Sequence, residues 1–277
     1  MLKISEEVKE KIEKYSREVY AGVGPGEKGY EDFLSASLSD ANAQTQIKWL
    51  EDNLNLNKGW AVLDYGAGSG LLTVTGNLLG YNFSGFEIDR RLYEIGREMC
   101  EDNNVDSGKV AYSPDGSLPY GDETYDLASS FFVYEHVADT TRYLEQGLRV
   151  LKKGGKLVVF TCNYKLLYEF HYGLFLPLFS NALTKFILRA LGRNTEFIDG
   201  INKVTPKKFL GDVEYLHRDD VRVENVGSME FLNNLSNVRQ HSALFVKVAR
   251  LFKKLGMIKL LVKLGFYNPL IYVITKN

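Results

Sequence analysis

The spacing of hydrophobic residues along the chain changes twice, and the changes mark three kinds of segment. Residues 4–20 place Ile4, Val8, Ile12 and Tyr15 at helical intervals with charges between them. GVGPGEKGY (22–30) breaks that pattern and reads as a loop. Residues 40–53 resume it as a second helix, with Asp40 as the N-cap. From residue 60 onward short apolar runs alternate with helical stretches. Strands are expected at 60–64, 82–87, 109–112, 125–130 and 156–160, and helices at about 70–80, 90–103 and 140–151. Such alternation predicts an α/β fold, a parallel sheet wrapped by helices. Segment 163–210 departs from it, being aromatic and interrupted by Pro177 and Pro206, and reads as an inserted, mainly helical subdomain. A strand near 220–225, basic helices over 228–265 and a last strand at 269–275 complete the reading.

Composition narrows the class without naming a chemistry. The 277 residues are 45% apolar and 25% charged, ordinary for a globular protein with a sizeable core. A formal net charge of −1 provides no global field, so no nucleic-acid partner is expected. The two cysteines, Cys100 and Cys162, form no C-x-x-C pair. That argues against a disulfide scaffold or a cysteine zinc site and suits a reducing, cytoplasmic setting. MLKISEEVKEKIEKY is charged and helical in pattern, unlike a secretory signal.

The candidate chemistry begins at VLDYGAGSGLLTV (62–74), an apolar strand running into a loop with Gly66, Gly68 and Gly70 behind Asp64. A glycine turn between strand and helix exposes backbone N–H groups and lets a ligand lie against bare main chain. A tight turn with no ligand is the bland alternative. Glu87, in NFSGFEIDRR, falls 17 residues after Gly70, where a carboxylate can accept from both ribose hydroxyls of an adenosine. It could instead cap the next helix, a role Asp89 fills better. Asp115, in the loop after the third strand, could accept from an adenine amine, and Gly116 would leave its N–H free for a ring nitrogen. Taken alone, Asp115-Gly116 reads as a plain turn.

VLDYGAGSG, the Glu of FEID, DGSLP, YDLASSFFVYEHV and LRVLKKGGKLVV occur in the order found in class I S-adenosylmethionine-dependent methyltransferases, and residues 60–160 resemble that family, in its ubiquinone-pathway-like branch. The resemblance implies a Rossmann-like seven-stranded mixed sheet of order 3-2-1-4-5-7-6, strand seven antiparallel, with helices on both faces. It implies an N-terminal helical cap (1–58), a core (59–162 and 211–277) and an inserted substrate cap (163–210). S-adenosylmethionine would be the cofactor and S-adenosylhomocysteine the product. Gly66, Ala67, Gly68 and Gly70 would pass beneath the methionine and ribose, and Asp64 would hold the methionine end. Glu87, with Ile88 beside it, would take the ribose, Asp115 and Gly116 the adenine. The backbone at Ser130 and Phe131 would face the methionine amine.

Methyl transfer needs alignment above all, which can supply up to roughly 7–11 kcal/mol. A base helps when the acceptor is a hydroxyl. His136, in VYEHV just past strand four, is the candidate, against the alternative that the Glu-His pair only shapes its loop. The stretch also resembles the M-E-V-x-E-H-V motif of ubiquinone-pathway O-methyltransferases, which can hold a divalent ion. Phe132 stands where the first acid would be, leaving Glu135 and His136, too few for a dedicated site, so no metal is expected.

Within the insertion, which should cover the cofactor cleft, Tyr164, Tyr168, His171 and Tyr172 could line an acceptor pocket, although most of its aromatics should form its own core. Glu169 with His171 is a second acid–base pair, ranked below His136. VKVARLFKKLGMIKLLVKLGF (246–266) interleaves leucines with cations. It reads as surface helices or, alternatively, as a face meeting anionic lipid. No apolar run reaches the roughly 20 residues needed to span a bilayer. The expectation is a metal-independent enzyme moving a methyl group, by direct displacement, to a hydroxyl of a small metabolite, sugar or lipid-linked acceptor. Nitrogen or carbon acceptors, a catalytically silent cofactor-binding module and a nicotinamide oxidoreductase remain as alternatives, and the oligomeric state is left open.

Overall fold

A computed structural model describes residues 2–24, 28–233 and 243–277. Seven strands form one sheet: β1 (Ala61–Tyr65), β2 (Asn82–Glu87), β3 (Val110–Tyr112), β4 (Tyr125–Phe131), β5 (Leu151–Thr161), β8 (Val221–Asn225) and β9 (Leu270–Lys276). A separate hairpin pairs β6 (Tyr168–Glu169) with β7 (Leu174–Phe175). The large sheet runs β3-β2-β1-β4-β5-β9-β8. With the hairpin strands left out of the count this is the expected 3-2-1-4-5-7-6. β1 pairs in parallel with β2 and β4, and β2 with β3, so the carboxyl ends of four strands share an edge. β1 lies between two neighbours and is buried almost throughout, which is why VLDY carries no alternation.

The chain divides into two compact units. The first comprises residues 1–130, 145–157 and 276; the second comprises 131–144, 158–275 and 277. In the first, α1 (Glu6–Tyr20) lays Val8 and Ile12 against Ile95, Met99 and Cys100 of α5 (Arg90–Asp102), joined by Val74 of α4 (Leu71–Leu78). Ser5 caps α1 by accepting from the Val8 N–H, and Lys11 reaches Glu98 across the pair at 2.6 Å. In the second, α7 (Asn181–Ala190), α8 (Phe197–Gly200), α9 (Pro206–Glu214), α10 (Val226–Asn233), α11 (Ala243–Lys254) and α12 (Ile258–Lys263) follow the hairpin. Ser180 and Thr205 cap α7 and α9 through their hydroxyls.

Several local expectations change. Asp40 makes no side-chain cap bond to α3 (Ala41–Leu54); the Ser39 hydroxyl accepts from the Ala41 N–H instead. A helix, α2 (Lys28–Ser37), begins inside the stretch read as a loop, because KGYEDFLSAS is too short to show a clear period. α6 (Thr140–Arg149) stops two residues early. β5 begins at Leu151 rather than 156, since the strand runs on through Gly154, at φ +79°, and Gly155. The insertion contains the β6–β7 hairpin as well as helices. Of the basic helices expected over 228–265, residues 234–242 lie outside the described residues.

A methyl group added at Gly227 would sit 2.6 Å from the Ile271 nitrogen and the Pro269 carbonyl oxygen, both backbone atoms. Overpacking of this kind costs about 1–3 kcal/mol. Gly227→Ala should therefore lower the melting temperature by several degrees in thermal denaturation; an unchanged transition would refute this packing of α10 on β9.

Candidate functional site

The tip of β1 is built almost entirely from backbone. Gly66, Gly68 and Gly70 all have left-handed φ (+100°, +56° and +80°), which L side chains disfavour. The N–H groups of Gly66 and Ala67 both donate to the Phe86 carbonyl, at 3.0 and 2.9 Å, fastening the loop to the end of β2. A side chain at Gly85 would meet the Thr73 hydroxyl at 2.6 Å and the Ala67 methyl at 2.9 Å. One at Gly70 would begin 3.0 Å from the Gly96 Cα, so α4 starts in backbone contact with α5. Beside Gly68 and Gly116, by contrast, no heavy atom of the described residues, chain neighbours aside, lies within 4 Å of where a side chain would begin. The loop is open there.

Two carboxylates stand at this edge. Glu87, at the end of β2 and 7% exposed, accepts from the Gly68 N–H at 2.7 Å through Oε2. Its Oε1 accepts from the N–H groups of Ile88 and Asp89 at 2.7 and 2.8 Å. Burial raises its pKa, against the pull of these three donors. Asp89, as expected, caps α5 by accepting from the Arg91 N–H, and Ile88 is exposed. Asp64, 3% exposed, accepts from the Thr73 hydroxyl at 3.0 Å. Burial, reinforced by the charge of Glu87 and opposed by hydrogen bonds from Thr73, brings its pKa up to about 7.

The stretch after β3 continues from the same place, since the Ser113 N–H reaches the Glu87 carbonyl at 3.4 Å. Asp115 is exposed and accepts from the hydroxyls of Ser113 and Ser117, at 2.6 and 2.8 Å. The Gly116 N–H is not free, contrary to the expectation from sequence: it donates to the Ser113 carbonyl at 3.2 Å and closes a turn. Ser130 is fully buried on β4, one residue beyond the Asp64–Ser129 pairing. The first unit thus brings together Asp64, Gly66, Ala67, Gly68, Gly70, Glu87, Ile88, Asp115, Gly116 and Ser130 along one strand edge. Gly85, Gly96 and Thr73 complete the construction, and sequence reasoning missed them. Their signal, single small or hydroxylated residues within helix and strand, is recognisable only once the contacts are known.

The second unit holds Phe131 and the expected acid–base and acceptor residues. The Phe131 ring packs on Phe160, with centroids 4.6 Å apart. Phe132 turns the chain at φ +58°, unusual for a bulky residue, while its N–H donates to the Phe160 carbonyl. His136 is exposed and lies edge-on to His171, centroids 5.0 Å apart. Crowding by the protein together with His171 favours its neutral form.

His171 is held on two sides. Its ring stacks on Phe197 at 4.7 Å, and its Nδ1 lies 2.8 Å from Oε1 of Glu169. Burial works against a charged ring, but the Glu169 hydrogen bond and charge, with Glu135, outweigh it and raise the His171 pKa. Glu169 is buried and also accepts from the Tyr172 N–H at 2.8 Å. Tyr164 and Tyr172 are buried, whereas Tyr168 is half-buried against Phe170 and Phe175. Glu135 is buried too and accepts from the Thr161 hydroxyl at 2.7 Å. No group of three or more His, Cys, Asp or Glu able to hold a metal ion occurs among the described residues.

Asp64 provides a test of the site's electrostatics. Its folded pKa is raised, so its contribution to stability is greatest below the unfolded value near 3.8 and is lost as pH rises through about 7. Asp64→Asn should raise stability by up to about 4 kcal/mol above pH 8. The gain should vanish as pH falls toward the unfolded value. Denaturant melts across pH would show it, and a gain independent of pH would remove the buried-acid assignment.

Comparison with known proteins agrees with this construction. Residues 63–159 match the family model described as a methyltransferase domain. A demethylmenaquinone methyltransferase of Geobacillus sp. (strain WCH70) is 25% identical over 156 residues, covering 50% of this chain and 64% of that protein. A ribosomal protein L11 methyltransferase of Neisseria meningitidis serogroup A is 37% identical over 115 residues, 41% of this chain and 35% of that protein. The chain spans between 35% and 65% of the length of these and two further curated relatives. Among solved structures, a geranyl diphosphate methyltransferase in complex with S-adenosylmethionine matches with a TM-score of 0.50 at 18% identity, over 93% of this chain and 94% of that one, a likeness of fold. Strand order, glycine loop and family match converge on one conclusion: residues 63–159 are a class I S-adenosylmethionine-dependent methyltransferase domain.

Proposed function

We propose that the protein transfers the methyl group of S-adenosylmethionine to a hydroxyl of a small metabolite, sugar or lipid-linked acceptor, without a metal. The observation that carries the cofactor reading is the β1–β2 tip, where open space beside Gly68 adjoins a carboxylate held by the Gly68 N–H. Open backbone with an adjoining acid suits an adenosine and its ribose. The cofactor supplies a methyl group on a sulfonium whose departing form is a neutral thioether. Glu87 is proposed to accept from ribose hydroxyls through its remaining lone pairs, with Ile88 giving an apolar surface beside it. Asp64 is proposed to favour the cationic methionine end. Gly66, Ala67 and Gly70 shape the loop, and Asp115, Gly116, Ser130 and Phe131 complete the proposed set.

For the acceptor, the geometry favours His171 over His136. A base works best with a pKa near the working pH and a fixed orientation. Glu169 supplies both, holding a proton on Nδ1 so that Nε2 presents a lone pair to an acceptor hydroxyl. Among the described residues no carboxylate hydrogen-bonds to His136, which is proposed as a neutral neighbour. Tyr164, Tyr168 and Tyr172, within the 163–210 insertion, are proposed to shape the acceptor pocket.

Gly68→Leu should abolish S-adenosylhomocysteine binding in calorimetry while circular dichroism reports a retained fold; unchanged affinity would count against the loop assignment. With an acceptor identified by screening hydroxyl- and amine-bearing metabolites, sugars and lipids for labelled methyl uptake, His171→Ala should lower kcat roughly 10²-fold or more. His136→Ala should stay within a few-fold. The wild-type rate should rise with pH through a pKa above 6.5, and Glu169→Gln should move that pKa down. A larger loss at His136 would return the base to that residue. Binding with no acceptor turned over would favour a silent cofactor-binding module.

A further inference from the structure

The last two helices before β9 carry a surface that neither the glycine loop nor the histidine pair uses. On α11 and the residue after it, Val248, Leu251 and Leu255 succeed one another at steps of three and four residues and so share one side, while Ala249 is buried on the other. Leu251 and Leu255 expose 53% and 60% of their surface. α11 ends at Lys254, Gly256 follows at φ +69°, and Leu260 on α12 and Leu264 just past its end are exposed as well. Single exposed leucines are common on protein surfaces, whereas a row at helical intervals marks a contact face.

The charges between those leucines are all of one sign. Lys247, Arg250, Lys253, Lys254, Lys259 and Lys263 are exposed, and none has an ion-pair partner among the described residues. No Asp or Glu follows Glu230 in the sequence. The helices are short, 12 and 6 residues, and no described helix is long and apolar enough to cross a membrane. An amphipathic helix with cations beside an exposed leucine row fits the plane of a lipid interface, its apolar side chains at the acyl boundary and its cations at the phosphates.

We propose that α11 and α12 seat the protein on an anionic lipid surface. Exposed leucines provide the apolar contact, and the uniform positive charge selects membranes carrying negative headgroups. Each surface-proximal Lys or Arg contributes about fivefold to such partitioning. This seating is independent of methyl transfer and requires no cofactor.

The test is cosedimentation of the full chain with vesicles of phosphatidylcholine alone and of phosphatidylcholine mixed with phosphatidylglycerol. Binding should occur only to the mixed vesicles and should weaken with added salt. K253Q/K254Q should lower partitioning roughly 25-fold. L251S/L255S should lower it too, while what binding remains keeps its salt dependence. Melting temperature and S-adenosylhomocysteine affinity, measured alongside, should be unchanged in both variants. Absence of binding to the anionic vesicles, equal binding to both kinds, or insensitivity to K253Q/K254Q would overturn the proposal. A failure of the methyltransferase reading would instead appear as lost S-adenosylhomocysteine affinity with vesicle partitioning intact.

Discussion

Backbone-to-backbone contact at the end of β1 is the constraint on which the proposed cofactor edge depends. Gly70 and Gly96 bring the start of α4 against α5, Gly85 leaves room for Ala67 and Thr73, and the Phe86 carbonyl receives two amide hydrogens from the loop. Remove any of these and the loop must rise from the strand tip. The Gly68 N–H would then lose Glu87, and Glu87 is the residue that ties the first strand's loop to the second strand's end. The same closeness explains why Asp64 is buried deeply enough to resist ionisation. Its partner Thr73 sits on the first turn of a helix that cannot move away.

Much of this construction is legible in the amino-acid sequence alone. Alternation of apolar strands and helical stretches locates β1 to β4 within about a residue at most ends, because parallel strands buried on both faces read as continuous apolar runs. The glycine spacing and the acid at 87 point to one edge for the same reason. What stays hidden in sequence are features set by tertiary contact. Gly154 and Gly155 look like a strand's limit yet lie inside β5, and the Gly116 N–H looks free yet closes a turn. The contact that supports the proposed base is hidden as well. His136 sits in the more suggestive motif, but the carboxylate that orients an imidazole is two residues from His171.

The histidine arrangement bears on how the proposed acceptor site differs from the proposed cofactor site. The proposed cofactor edge is made of glycines and backbone amides. The second unit uses buried carboxylates, Glu135 and Glu169, each satisfied by a hydrogen-bond donor, to fix polar side chains in a largely aromatic setting. Relatives that share the domain carry names referring to a quinone precursor and to a ribosomal protein. We propose that the matching region holds the cofactor and that acceptor choice belongs to segments outside it.

The uneven distribution of charge along the chain has a consequence that its total conceals. Eight Lys and Arg and no acid lie after Glu230, so residues 1–230 carry nine negative charges in excess. In physiological salt a charge is felt over about 8 Å. Whatever touches α11 and α12 therefore meets a cation of high local density, even though the whole protein would barely migrate in an electric field.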